Sequence, residues 1–307
     1  MAKGLFTQCA CVLLKRPVKI SELERPLGGF KIRGKAEALE SLAFSGPSLL
    51  LAFRPKVNGY VMVDVVACEW PDEMGTPKKE PTIFGAWATG QFGPLTFPGS
   101  LERAGRQCWG WDLAKTIAKQ HHAFVRIRSS YAIGGKKNAP IVPLNYDPVV
   151  ELSFVTKIAF ALLSLPDALS YFNPGGEVLA SQEGVQESLE HACSSHLPPL
   201  ELWANVRFFE LESGWSIMDT IGNEQMDVND VQACLPPGRR YDPLEVMVFL
   251  RDVSWSLVNW GQKIRERDIR EGPGGVQWKA KFIDKASAEP QRRILSWFPL
   301  DGSRTPN

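Results

Sequence analysis

The chain has 307 residues with 35 basic and 34 acidic side chains, a formal net charge of +1. So balanced a charge offers no long-range field to hold a polyanion by counterion release, which argues against nucleic acid as a partner. With 44% hydrophobic and 22% charged residues, the composition is that of a globular protein able to bury one large core or two modest ones.

Six scattered cysteines in a chain of this size read as reduced thiols rather than a disulfide scaffold, which points to the cytoplasm. The opening apolar run is broken by Gln8 and followed by Lys15, Arg16 and Pro17, the wrong order for a signal peptide. The most apolar stretch, 149–165, contains Glu151 and Lys157 and falls short of the roughly 20 apolar residues that span a bilayer. No membrane association is expected.

In chain order, the β-branched and apolar runs 49–53 and 60–67 flank Pro55 and Asn58-Gly59, a hairpin signal. Prolines 71, 77, 81, 94 and 98 then make 69–100 a long surface excursion. Ser100 can cap a helix to about residue 120. In 123–128, Ala123, Val125 and Ile127 alternate with Phe124, Arg126 and Arg128, as in a strand with one solvated face. Gly134-Gly135-Lys136-Lys137-Asn138 and the prolines beyond it mark a joint, so the chain is divided into halves at 1–147 and 148–307.

The second half opens with an apolar helix at 149–165 and a more exposed one at 181–195, closed by Pro198-Pro199. Alternation over 200–209 predicts a strand, and Trp215, Ile217 and Ile221 continue it as a hairpin past Ser213-Gly214. Asp242-Pro243 starts a helix to about 260, lined by Val246, Leu250, Val253, Leu257 and Trp260. Val276, Trp278, Ala280 and Phe282 form a last strand with a basic outer face. The fold class expected is therefore α+β, antiparallel sheets packed with helices. Since 49–131 and 200–283 repeat the order hairpin, excursion, helix, strand, a duplication of two similar halves is expected too.

Catalytic chemistry finds little footing. A Gly-x-Ser-x-Gly elbow is absent, and four histidines provide few general bases for a nucleophile. Gly134-Gly135-Lys136-Lys137 lacks the Ser or Thr of a phosphate loop, and Gly272-Pro273-Gly274-Gly275 lacks dinucleotide spacing; both read as turns. His191, Cys193 and His196 have no second ligand pair, His121-His122 diverge at a helix–strand junction, and Cys9-x-Cys11 suits a strand better than a zinc knuckle. No metal and no cofactor are expected. Between residues 201 and 230, seven acids (Glu201, Glu210, Glu212, Asp219, Glu224, Asp227 and Asp230) face only Arg207. Charge runs of this kind usually face water, and here they can also meet a basic partner.

Three phrases carry a family likeness: Glu201-Leu202-Trp203-Ala204-Asn205-Val206-Arg207, Met218-Asp219-Thr220-Ile221-Gly222, and Gly272-Pro273-Gly274-Gly275-Val276-Gln277-Trp278. With them the second half resembles immunity proteins of bacterial polymorphic toxin systems, antidotes carried by the producer of a toxin. The nearest subset is paired with a type VI secreted, restriction-endonuclease-like toxin. The resemblance implies a non-enzymatic inhibitor that binds a cognate toxin, a nuclease, and it brings no catalytic residues with it. A nuclease attracts phosphates with basic residues, so an antidote can offer carboxylates to the same field. The toxin-binding residues expected on this reading are Glu210, Glu212, Glu224, Asp227 and Asp230, with Asp219 a turn residue. An enzyme using paired carboxylates is the alternative, and it requires a pocket holding two acids of raised pKa.

Overall fold

A computed structural model describes residues 3–37, 44–133, 140–238, 241–261 and 263–300. The turn expected at Gly134-Gly135-Lys136-Lys137-Asn138 lies outside these residues. No helix among them is long and apolar enough to cross a membrane. The fold is α+β, as expected, but the chain divides after Trp203 rather than at 147.

The first unit contains β1 (Gln8–Leu14), β2 (Ile32–Ala36), β3 (Ser48–Arg54), β4 (Gly59–Val66), α1 (Pro81–Ala88), α2 (Ser100–Arg106), α3 (Ala114–Ala118), β5 (Ala123–Ser130), α4 (Pro148–Leu162), β6 (Ala168–Asn173), β7 (Val178–Ala180) and α5 (Gln182–Ser195). Its strands form one antiparallel sheet in the order β2-β3-β4-β5-β1-β6-β7. The hairpin β3–β4 turns through Asn58, whose left-handed φ of 59° suits the Asn-Gly pair. Helix α4 starts where Asp147 accepts the backbone N–H groups of Val149 and Val150, with Pro148 in the first turn. It lies on β1, β5 and β6, and this packing is why the joint expected at 147 falls inside a unit.

The other face of the sheet is covered as well. The proline-rich excursion folds into α1, and the single helix expected at 100–120 is two short ones, α2 and α3, separated by a stretch containing Gly110. Their Trp87, Leu101, Ala104, Ala114 and Ala118, with Trp70 and Phe92, pack onto Cys9, Cys11, Leu13, Phe124 and Phe172. Trp70 makes edge-to-face contacts with Trp87, Phe92, Phe124 and Phe172 at 5.1–6.2 Å between centroids. Strands β1 and β5 are therefore buried on both faces, and the solvated face expected for Phe124, Arg126 and Arg128 does not exist.

The unit closes with a 3-10 turn, Leu200–Leu202, where a strand was expected to begin. The prolines before it hold that geometry, and the turn places Trp203 in the core with its indole N–H on Thr156 Oγ1 at 2.9 Å. The Leu202 carbonyl accepts the Tyr171 hydroxyl at 3.0 Å.

The second unit contains β8 (Asn205–Glu210), β9 (Ser216–Ile221), β10 (Asp230–Leu235), α6 (Pro243–Trp260), β11 (Ile269–Gly272), β12 (Val276–Ile283) and β13 (Ile294–Pro299). The sheet order is β11-β12-β13-β10-β9-β8, with β10 and β13 parallel. Helix α6 covers one face through Val246, Leu250, Val253 and Leu257, and its Phe249 ring contacts those of Trp278 and Trp297; Trp260, expected on the same face, ends the helix exposed. The duplication is overturned. In the first unit β5 returns beside the hairpin strand β4, whereas in the second β12 is separated from the hairpin by β10 and β13.

Leu250, on the inner face of α6, is fully buried. Leu250→Ala is expected to cost about 2–5 kcal/mol by removing packed methyl groups. Urea unfolding followed by tryptophan fluorescence measures that loss.

Candidate functional site

The acidic stretch does not form one surface. Glu201 belongs to the first unit, and the other six acids separate according to strand geometry. Glu210 ends β8 and Glu212 lies in the hairpin turn, both exposed. Glu224, half-buried, and Asp227, exposed, follow β9 at its opposite end. That end is roughly 20 Å from the tip, at ~3.3 Å per strand residue.

Asp219 and Asp230 are not surface groups. Arg207 and Asp219 are cross-strand partners on β8 and β9, both 0% exposed, so their side chains share a face. Arg207 Nε and Nη2 donate to the two Asp219 oxygens at 3.0 and 2.7 Å. Arg292 bridges the two acids, with Nη2 to Asp219 Oδ2 at 2.8 Å and Nε to Asp230 Oδ2 at 2.7 Å. Spare guanidinium N–H groups reach the carbonyls of Glu289, Pro290 and Thr220. Burial pushes the Asp230 carboxyl above its ordinary value, opposed by Arg292 and the Asn223 N–H. Asp230 is thus withdrawn from the toxin-binding set, because a carboxylate held by Arg292, Thr220 and Asn223 has no free face. Asp219 is likewise a strand residue and not a turn residue.

The motif Asp219-Thr220-Ile221-Gly222 is explained by this cluster. Thr220 Oγ1 donates to Asp230 Oδ1 at 3.2 Å, and Gly222, at φ 121°, turns the chain so that Asn223 Nδ2 reaches Ser254 Oγ on α6 at 2.9 Å. The network ties the root of the hairpin to the helix.

At the other end the tip is apolar between acids. Phe209, Leu211 and Trp215 are half-buried and pack with Ile217, Cys234 and Phe298, on the side of the sheet away from α6. Glu210 and Glu212 flank Leu211 in the turn. Sequence reasoning found the acids here but not the apolar group beside them, although the alternation of Phe209 and Leu211 carried that signal.

Compared with known proteins, the chain matches no family model, no curated protein and no solved structure.

The remaining candidates fall apart spatially. The basic outer face of β12 is Lys279 and Lys281 alone, for Arg126, Arg128 and Arg292 are buried. His191, Cys193 and His196 are exposed on and just beyond α5, and the described residues contain no group of three potential ligands placed to hold a metal ion. His121 is buried: its Nε2 accepts the Trp70 N–H at 2.7 Å, and its Nδ1 lies against the Ala118 carbonyl. Among the described residues three carboxyls have raised pKa, all chiefly from burial. Asp72 accepts the N–H groups of Leu101 and Glu102, Glu151 accepts from Thr7 and Tyr146, and Asp230 is in the other unit. Neither the cavity of about 170 Å³ beside Lys3 and Phe6 nor that of about 430 Å³ beside Tyr131 and Leu144 is lined by an acid. The paired-carboxylate alternative gains no support from this arrangement.

Two outcomes are expected. Arg292→Met leaves the buried Asp230 without its cation and Asp219 with Arg207 alone, and should cost about 3–5 kcal/mol in denaturant unfolding, with part recovered by adding Asp230→Asn. Burial lowers the His121 pKa below its ordinary 6.5, opposed by the hydrogen bond to Ala118 and by Glu69, so the unfolded chain takes up the proton first. The stability contributed by neutral His121 is full above the unfolded pKa and is lost as pH falls towards the folded one. The loss between pH 7.5 and 5.5 should be smaller in His121→Gln than in wild type, since the carboxyls with raised pKa contribute alike to both.

Proposed function

We propose that the chain is an immunity protein that binds and neutralises a cognate secreted toxin, a nuclease, inside the producing cell. The observation that carries this reading in the fold is the tip of the β8–β9 hairpin, where half-buried Phe209, Leu211 and Trp215 lie beside exposed Glu210 and Glu212. Protein interfaces draw most of their energy from a few aromatic or arginine anchors and their association rate from charge complementarity. An apolar patch bordered by acids suits a partner whose own surface is basic because it must hold phosphates.

The resemblance of the second half to polymorphic-toxin immunity proteins supports the same reading. Its phrases fall on the residues that build the scaffold beneath the tip: Arg207 and Asp219 in the ion cluster, and Trp278 against α6. Glu210 and Glu212 are the contacts proposed first, with Glu224 and Asp227 as a separate, more distant group.

The test uses the purified chain and the product of the adjacent toxin-like reading frame. Glu210→Lys with Glu212→Lys should slow association at low salt at least tenfold and weaken protection of cells, while the melting temperature stays nearly unchanged. Unaltered kinetics and full protection with that double variant would remove the tip from the interface. Failure of the wild-type chain to bind or protect would remove the immunity reading itself.

A further inference from the structure

Strand β11 is one edge of the second sheet, at the opposite end of the strand order from β8. In an antiparallel pair, alternate residues aim their backbone N–H and C=O groups at the neighbouring strand and the others aim them away. The Ala280 N–H donates to the Asp268 carbonyl, so Ala280 faces β11, whereas the Gln277 carbonyl accepts the Leu300 N–H on the β13 side. Trp278, two residues from Ala280, therefore pairs its backbone with Arg270, while Ile269 and Glu271, opposite Lys279 and Gln277, turn their N–H and C=O groups outward. Among the described residues nothing bonds to those outward groups.

An open edge is a template for another strand, and monomeric proteins blunt it with like charges, proline or a covering element. Here Ile269 is 51% exposed, no proline falls within 267–272, and the flanking charges are mixed in sign: Arg267, Asp268, Arg270 and Glu271. Arg267 and Glu271 are exposed and in no ion pair among the described residues. The Arg270 side chain reaches only the Ser256 hydroxyl, at 3.3 Å, and the Trp297 ring, and Asp268 accepts the Arg265 N–H through Oδ2 alone. About Ile269 the run is charge-complementary to its own reverse. A second copy laid antiparallel with the two Ile269 residues opposite each other sets Asp268 against Arg270 and brings Arg267 beside Glu271, each twice by the two-fold axis. The two Ile269 residues then exchange a pair of N–H···O bonds. The register centred on Arg270 instead sets guanidinium against guanidinium, which like-charge repulsion opposes.

We propose that β11 pairs antiparallel with β11 of a second copy of this chain, forming a symmetric dimer by continuing one sheet into the other. A contact of this length buries less than the ~1,200 Å² at the low end of standard interfaces, so the dimer is weak. The β8–β9 hairpin proposed for the toxin lies at the other side of the sheet, and the two proposals fail independently.

Sedimentation velocity of the full chain from about 10 to 500 µM should show a monomer–dimer equilibrium. Ile269→Lys sets two lysines opposite each other and should raise the dissociation constant roughly tenfold or more, with the melting temperature nearly unchanged because the side chain is exposed. Glu271→Lys and Arg267→Glu each bring like charges together at two points and should each weaken the dimer roughly fivefold or more. An equimolar mixture of those two variants restores opposite charges at both points and should associate as wild type does. The proposal is overturned by a wild-type chain that stays monomeric throughout, by association undiminished in Ile269→Lys, or by a mixture that associates no better than its components.

Discussion

A buried guanidinium stays charged at any pH a cell reaches, so a fold that takes one into its core must meet it there with a carboxylate. Arg126 and Arg207 are among the largest fully buried side chains, and each is paired through two bonds with a residue directly across the ladder, Asp64 and Asp219. Slipping either pair of strands by one residue would send one partner to the opposite face and strand the other charge. Apolar alternation tolerates a slip of two residues, which restores the faces, but these ion pairs do not. They specify the register of both sheets more narrowly than packing does.

The same groups also hold down the irregular chain. Arg126 and Arg128 share the Gln91 carbonyl, and Arg207 and Arg292 bind the carbonyls of Glu289 and Pro290. In each unit an irregular connection between elements is fastened to a sheet by guanidinium donors left over after the carboxylates are satisfied. The two sheets differ in strand order and still solve one electrostatic problem alike.

This accounts for what could and could not be read from the chain. The hairpin β3–β4, the helices α4, α5 and α6 and the strand β12 follow from local signals, namely Asn58-Gly59, Asp147-Pro148, Ser181, Asp242-Pro243 and strict alternation. Strand β5 was placed correctly, but its polar residues were assigned to water because alternation reports two faces and not what covers them. The covering layer came from a segment that proline content marked as loop. The acids fared similarly: Glu210 and Glu212 are exposed as charge alone suggests, whereas the partners of Asp219 and Asp230 include Arg292, more than sixty residues away in sequence.

The link from Asp230 through Thr220 and Asn223 to Ser254 has a mechanical meaning. It braces the hairpin at its root against an eighteen-residue helix, so the tip is carried on a stiff lever and not on a loop. A partner that grips the tip would meet a surface whose conformational entropy was already given up in folding, and little of the contact energy would be spent on ordering it.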